Sequence, residues 1–123
     1  MGEFAKILIV DDNPDVLSLT ACMLKMSGFN VMTAEDGMLG LEIAEAELPD
    51  LIITDISMPH LDGIQMISRL RDQSKFSRVP ILVISAHGSA MTTEALRAGA
   101  NEAMHKPLDF DSFISHINNL LAA

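Results

Sequence analysis

Three carboxylates, a hydroxyl and an ammonium stand out because each lies at the end of a short apolar run. Asp11-Asp12 follow Ile9-Val10, Asp55 follows Ile52-Ile53-Thr54, Ser85 follows Val83-Ile84, and Lys106 follows Met104-His105. Singly, each has an ordinary structural explanation, since aspartates sit in turns and at helix starts and lysines on solvated surfaces. Together they would do distinctive chemistry. Carboxylates a few ångströms apart in a partly desolvated cleft repel one another, so either one protonates or a cation lies among them. Carboxylate and carbonyl oxygens suit a hard ion, and Mg²⁺ typically uses one or two carboxylates, waters and phosphate oxygens. A divalent ion, a lysine and a hydroxyl are organised for phosphoryl oxygens. A carboxylate in that setting can be the nucleophile and form an acyl phosphate.

The segments that must position these groups alternate in kind. Apolar runs at 6–10, 30–34, 51–54, 80–85 and 102–105 predict five strands. The first, third and fourth are nearly continuous in Ile, Leu and Val, as in parallel strands covered on both faces. The second and fifth are shorter or more polar, as edge strands are. Helical patterns lie between and after them. Asn13-Pro14 predicts a cap and first helical residue, with Leu17, Ala21 and Leu24 on one face and Gly28 as a stop. Met38, Leu41 and Ala44 line a second helix ending near Pro49, and Ile64, Ile67 and Leu70 a third. A weakly apolar fourth runs from Met91 to Ala98 and stops at Gly99, and Phe110, Phe113, Ile114, Ile117, Leu120 and Leu121 give the fifth its 3.6-residue period. Strand–helix repeated five times predicts an α/β fold, a doubly wound parallel sheet in the order 2-1-3-4-5 with helices on both faces. Sites in such folds lie at the carboxyl ends of the strands, which is where the five polar groups fall.

Composition narrows the function. The 123 residues predict one domain, spanning 1–123, that needs no disulfide or structural zinc, and Cys22 is the only cysteine, expected as a small packing residue. Eight Lys and Arg against 17 Asp and Glu leave a net charge of −9, which disfavours nucleic-acid binding by this domain alone. No Trp or Tyr is present to build a stacking platform. No apolar run is long enough for a membrane span and no signal sequence is evident, so a cytoplasmic protein is expected. His60, His87, His105 and His116 lack metal-ligand spacing, the nine Met residues read as gap-filling core and surface positions, and Gly37, Gly40, Gly63 and Gly99 read as turns or caps.

Asp11-Asp12, the segment Asp55-Ile56-Ser57-Met58-Pro59-His60-Leu61-Asp62-Gly63, Ser85-Ala86 and Lys106-Pro107 resemble the receiver domain of two-component response regulators, in order and over essentially the whole chain. The resemblance implies a flavodoxin-like receiver fold. It implies that Asp55 accepts a phosphoryl group from a phosphohistidine on a sensor histidine kinase or phosphotransfer protein. Asp12, Asp55 and the backbone carbonyl of Ser57 would hold Mg²⁺, with Asp11 acting through metal-bound water. Ser85 and Lys106 would bind phosphoryl oxygens, and the Lys106-Pro107 peptide would be cis. Hydrolysis of the acyl phosphate would be sensitive to Ser57 and His87. Such a domain catalyses only its own phosphorylation and dephosphorylation, and it signals to a downstream protein through helix 4, strand 5 and helix 5.

One position departs from the family. Receivers usually carry Tyr or Phe three residues before the lysine, and here that residue is Ala103. Output is therefore expected to rely on the 86–92 loop and helix 4. Other classes compete with the phosphoacceptor. A phosphorylation-independent interaction module of the same fold would not need the full acidic and lysine set. A Mg²⁺-dependent phosphohydrolase with an Asp nucleophile normally carries a second acid two residues on, where this chain has Ser57, and little chain is left for a substrate cap. A flavin-binding domain would offer hydroxyls and amides after strand 1, where Asp11-Asp12-Asn13-Pro14 offers negative charge and a residue without N–H.

Overall fold

Residues 5–56, 58, 61–85 and 90–123 are described by a computed structural model of the chain. The elements follow in the order β1 (Lys6–Val10), α1 (Pro14–Met26), β2 (Asn30–Ala34), α2 (Gly37–Glu47), β3 (Leu51–Asp55), α3 (Gly63–Arg71), β4 (Ile81–Ser85), α4 (Met91–Ala98), β5 (Glu102–His105) and α5 (Phe110–Ala122). The five strands are all parallel, in the order β2-β1-β3-β4-β5. β2 and β5 are the edges, in keeping with their weaker apolar character. One element is not apparent in the sequence: a 3₁₀ turn at Ser74–Phe76, which buries Phe76 beneath α3 and β4.

Alternation along the strands builds two cores. Leu8, Val10, Ile52, Ile81 and Val83 face α2, α3 and α4, meeting Leu41, Ala44, Met66, Ile67, Leu70 and Ala95. Ile7, Ile9, Leu51, Ile53, Leu82 and Ile84 face α1 and α5, meeting Leu17, Ala21, Leu24, Phe113 and Ile117. Burying each large side chain contributes about 1.5–3 kcal/mol relative to exposure. This two-sided burial is what makes the central strands nearly continuous in Ile, Leu and Val.

Several local expectations are corrected. Met38 is exposed, and α2 instead buries Gly37, Gly40, Leu41 and Ala44. Gly40 is no turn. It lies within α2, where a Cβ would come 2.9 Å from Met66 Sδ and 3.0 Å from Val10 Cγ2, so its lack of a side chain lets the helix approach the sheet. The left-handed residue that ends α2 is Leu48, with φ 51°, immediately before Pro49. Cys22 is exposed on α1. Among the described residues, no helix is long and apolar enough to cross a membrane.

Candidate functional site

The acidic pair occupies the turn from β1 into α1, and local hydrogen bonds fix it there. The Asp11 amide donates to Ala34 O, tying the turn to β2. Asp11 Oδ1 accepts from the Asn13 amide at 2.9 Å. Asn13 Oδ1 in turn accepts from the amides of Asp15 and Val16, capping α1 with Pro14 at its first position. Asp11 is thereby drawn into the cleft and buried, while Asp12 stays exposed.

Asp55 is the last residue of β3, and its surroundings hold it from both sides. Thr54 Oγ1 donates to Asp55 O, and the Gly63 amide donates to Ile56 O at 2.8 Å. Gly63 is required by close approach, because a Cβ there would stand 2.3 Å from Asp55 O. Asp62, part of the Asp-Gly pair that the sequence singles out, caps α3: it accepts from the Gln65 amide while Gln65 Oε1 accepts from the Asp62 amide, a capping box. These bonds set the start of α3 directly against the end of β3.

Lys106 leaves β5 with its amide donating to Ser85 O at 2.9 Å. The Lys106-Pro107 peptide is cis, as the resemblance implies. Lys106 Nζ lies 3.1 Å from Asp55 Oδ2, and the Asp55 side chain is 13% exposed. Oxygens of Asp11, Asp12 and Asp55 all lie within 4.8 Å of one another. Three carboxylates against one ammonium leave this corner with an excess of negative charge. The strain shows at Asp11, whose carboxyl is pushed above the usual range, chiefly by burial and then by the charges of Asp55 and Asp12, against the Asn13 N–H and Lys106, which favour ionisation. An all-oxygen donor set with surplus charge is what Mg²⁺ or a similar hard cation requires.

Ser85 ends β4, 1% exposed. Its Oγ lies 2.9 Å from His105 Nδ1 and 3.1 Å from Thr92 Oγ1. The fold thus brings Asp11, Asp12, Asp55 and Lys106 together and seats Ser85 on a neighbouring strand end, engaged with two residues that the sequence did not single out. Only the strand register places His105 opposite Ser85. Ser57, whose carbonyl is an expected metal ligand, lies outside the described residues, as do His60 and the 86–89 part of the expected output loop, with His87. Beside Asp55, a cleft of about 430 Å³ opens between α1 and α5, lined by Val16, Leu19, Met23, Leu108 and Phe110 and reaching Asp11 and Lys106.

Residues 7–118 match the family described as Response regulator receiver domain. Protein PilH of Pseudomonas aeruginosa is 34% identical over 119 residues, covering 96% of this chain and 98% of PilH. The DNA-binding dual master transcriptional regulator RpaA of Synechocystis is 32% identical over 117 residues, 94% of this chain and 48% of RpaA. The chain thus spans about half the length of some curated relatives and nearly all of another. Among solved structures, a putative response regulator from Chloroflexus aurantiacus superposes with a TM-score of 0.93 at 30% identity, covering 98% of this chain and 99% of that one. The receiver domain of the Pseudomonas aeruginosa sensor histidine kinase PA1611, with a magnesium ion coordinated in its active site cleft, superposes with a TM-score of 0.91 at 28% identity, covering 98% and 99%. Since the family match runs through all five strands and the observed strand order agrees with it, this chain belongs to the response regulator receiver domain family of two-component signalling.

Proposed function

We propose that the chain is a single receiver domain, spanning 1–123, that takes a phosphoryl group onto Asp55 from a phosphohistidine on a sensor histidine kinase or phosphotransfer protein in the cytoplasm. The observation that carries this reading is the state of Asp55: its carboxylate is nearly enclosed, paired with Lys106 Nζ at 3.1 Å, and clustered with Asp11 and Asp12. Asp11, Asp12 and Asp55, with the Ser57 carbonyl, are the groups that would hold Mg²⁺, which when bound supplies charge neutralisation for the incoming phosphoryl oxygens.

The chain's own residues do the rest. An Asp55 carboxylate oxygen attacks phosphorus, and the new O–P bond forms as the donor's N–P bond breaks, its electron pair returning to the imidazole ring. Lys106, already beside Asp55, turns its remaining N–H donors to the phosphoryl oxygens and offsets their charge. The Ser85 hydroxyl donates to another phosphoryl oxygen. The donor protein approaches over α1, where exposed Val16 and Leu19 flank the cleft beside Asp55. Output passes to a downstream protein through α4, β5 and α5. Catalysis is confined to the domain's own phosphorylation and dephosphorylation.

Incubation with acetyl phosphate and Mg²⁺, followed by intact-mass measurement, tests the reading. One added phosphoryl group, absent in Asp55→Ala and in EDTA and removed by hydroxylamine, is the expected result. No adduct at low temperature and short times would point to a phosphorylation-independent module. Steady phosphate release without an adduct would point to a phosphohydrolase.

A further inference from the structure

Ser85 has one hydroxyl proton, and phosphoryl oxygens only accept. Where that hydroxyl points therefore decides what Ser85 does, and two neighbours hold it. His105 Nδ1 and Thr92 Oγ1 both lie within hydrogen-bond reach of Ser85 Oγ. Register pairs Ser85 with His105, and Val83 with Ala103 two residues earlier. Alternation puts all four on the sheet face covered by α4, with Val83 and Ala103 packed in the core that contains Ala95. Asp55 pairs in register with Ile84, on the other face. Ser85 Oγ is thus held toward α4 and β5, away from the face on which Asp55 lies.

The bond to Thr92 also bears on α4. This helix begins after Ala90, which supplies no side-chain cap, and it buries only Ala95. Thr92 Oγ1 is therefore a direct tie between the first turn of α4 and the end of β4. The residue on which the family's usual aromatic would stand is Ala103, half-buried and without a ring to move.

We infer that His105 and Thr92 are positioning residues that hold the Ser85 hydroxyl on the α4 side of the sheet in the unphosphorylated domain, so that turning Ser85 Oγ toward a phosphoryl group on Asp55 breaks the tie to α4. The coupling runs through the position of one hydroxyl instead of the burial of an aromatic ring. This inference rests on the phosphoacceptor reading and deepens it. Ser85 reaches the phosphoryl only by giving up its present partners, and the freed Thr92 hydroxyl lets the start of α4 move.

Beryllofluoride with Mg²⁺, which mimics a phosphoryl group on a carboxylate, tests this by titration calorimetry together with amide NMR shifts of 90–98. Removing one competing bond in His105→Leu or Thr92→Val should tighten beryllofluoride binding about fivefold, the change expected for one neutral hydrogen bond. The two effects should be less than additive, because both partners act on one hydroxyl. In a Ser85→Ala background, His105→Leu should leave the affinity unchanged. Thr92→Val should also reduce the ligand-induced shifts in α4. Thr92→Val is close to isosteric, so it carries the test if His105→Leu misfolds. Unchanged or weaker binding in folded variants, or the same gain in the Ser85→Ala background, would overturn the inference. If the wild-type domain and Asp55→Ala respond alike to beryllofluoride, the phosphoacceptor reading itself falls, and this inference with it.

Discussion

Replacing Asp11 by Asn removes one charge from the acidic cluster while keeping the side-chain oxygen that accepts from the Asn13 amide. The neighbouring carboxylate oxygens lie within 4.8 Å. At that separation two unit charges repel by about 0.9 kcal/mol in a water-like dielectric and by about 3.5 kcal/mol at an effective dielectric of 20. Asp11 faces both Asp12 and Asp55, and Lys106 offsets part of the repulsion. A net relief of about 1–3 kcal/mol follows for the metal-free protein. For a domain of this length that raises Tm by roughly 3–5 °C per kcal/mol. The sign reverses with metal. Ion binding stabilises the folded state by RT ln(1 + [L]/Kd), about 2.7 kcal/mol at one hundred times Kd, and Asp11→Asn forfeits part of that gain.

The pH dependence has a definite direction. The folded-state pKa of Asp11 lies above its ordinary value of 3.8, so the folded state holds this proton more tightly than the unfolded chain. The associated stability is fully present below the unfolded value and is lost as pH rises through the folded one. In EDTA, the advantage of Asp11→Asn should therefore be small in acid, grow as pH rises, and level off once Asp11 is ionised. Thermal melts of both proteins across pH, with EDTA and with Mg²⁺, make the comparison. A less stable Asp11→Asn protein in EDTA at neutral pH, with a gap that Mg²⁺ does not change, would refute the charge-cluster account.

Other substitutions probe the supports of the site. Gly63→Ala places a Cβ against the Asp55 carbonyl and should destabilise by about 1–3 kcal/mol in urea melts while slowing adduct formation at Asp55. Arg71 donates to the carbonyls of Gly99 and Phe76 and to Asn101 Oδ1, joining α3 to the end of α4, so Arg71→Ala should cost about 2 kcal/mol. Arg71→Lys should recover little of it by the same melts, because an ammonium cannot span those acceptors. Lys106→Met removes the one cation bonded to Asp55 among the described residues, so calorimetry should show Mg²⁺ binding about tenfold tighter. The same variant should accept phosphoryl from acetyl phosphate about tenfold or more slowly, since the group that offsets phosphoryl charge is gone.

Much of this was legible along the chain because parallel α/β folds leave strong local marks. Continuous Ile, Leu and Val runs mark β1, β3 and β4, Asn13-Pro14 marks the start of α1, and the 3.6-residue period marks α5, since burial on both sheet faces or along one helix stripe constrains residues that are close in sequence. The positions that misled are those whose reason lies in a distant partner. Gly40 is small because Val10 and Met66 press on it, and Met38 is exposed because α2 turns its glycine-bearing face to the sheet. The 3₁₀ turn at Ser74–Phe76 is set by where Phe76 finds a core to enter.

The division is the same at the site. Residue type and position determined which groups gather: carboxylates, a lysine and a hydroxyl at strand ends converge in any doubly wound parallel sheet, because its strands all point one way. Tertiary structure decided the partners. The burial of Asp11 between Asp12 and Asp55, the pairing of Lys106 with Asp55, and the engagement of Ser85 by His105 and Thr92 depend on register and on the seating of α4. Those are set by the packing of the two cores across the sheet, and no stretch of neighbouring residues encodes them.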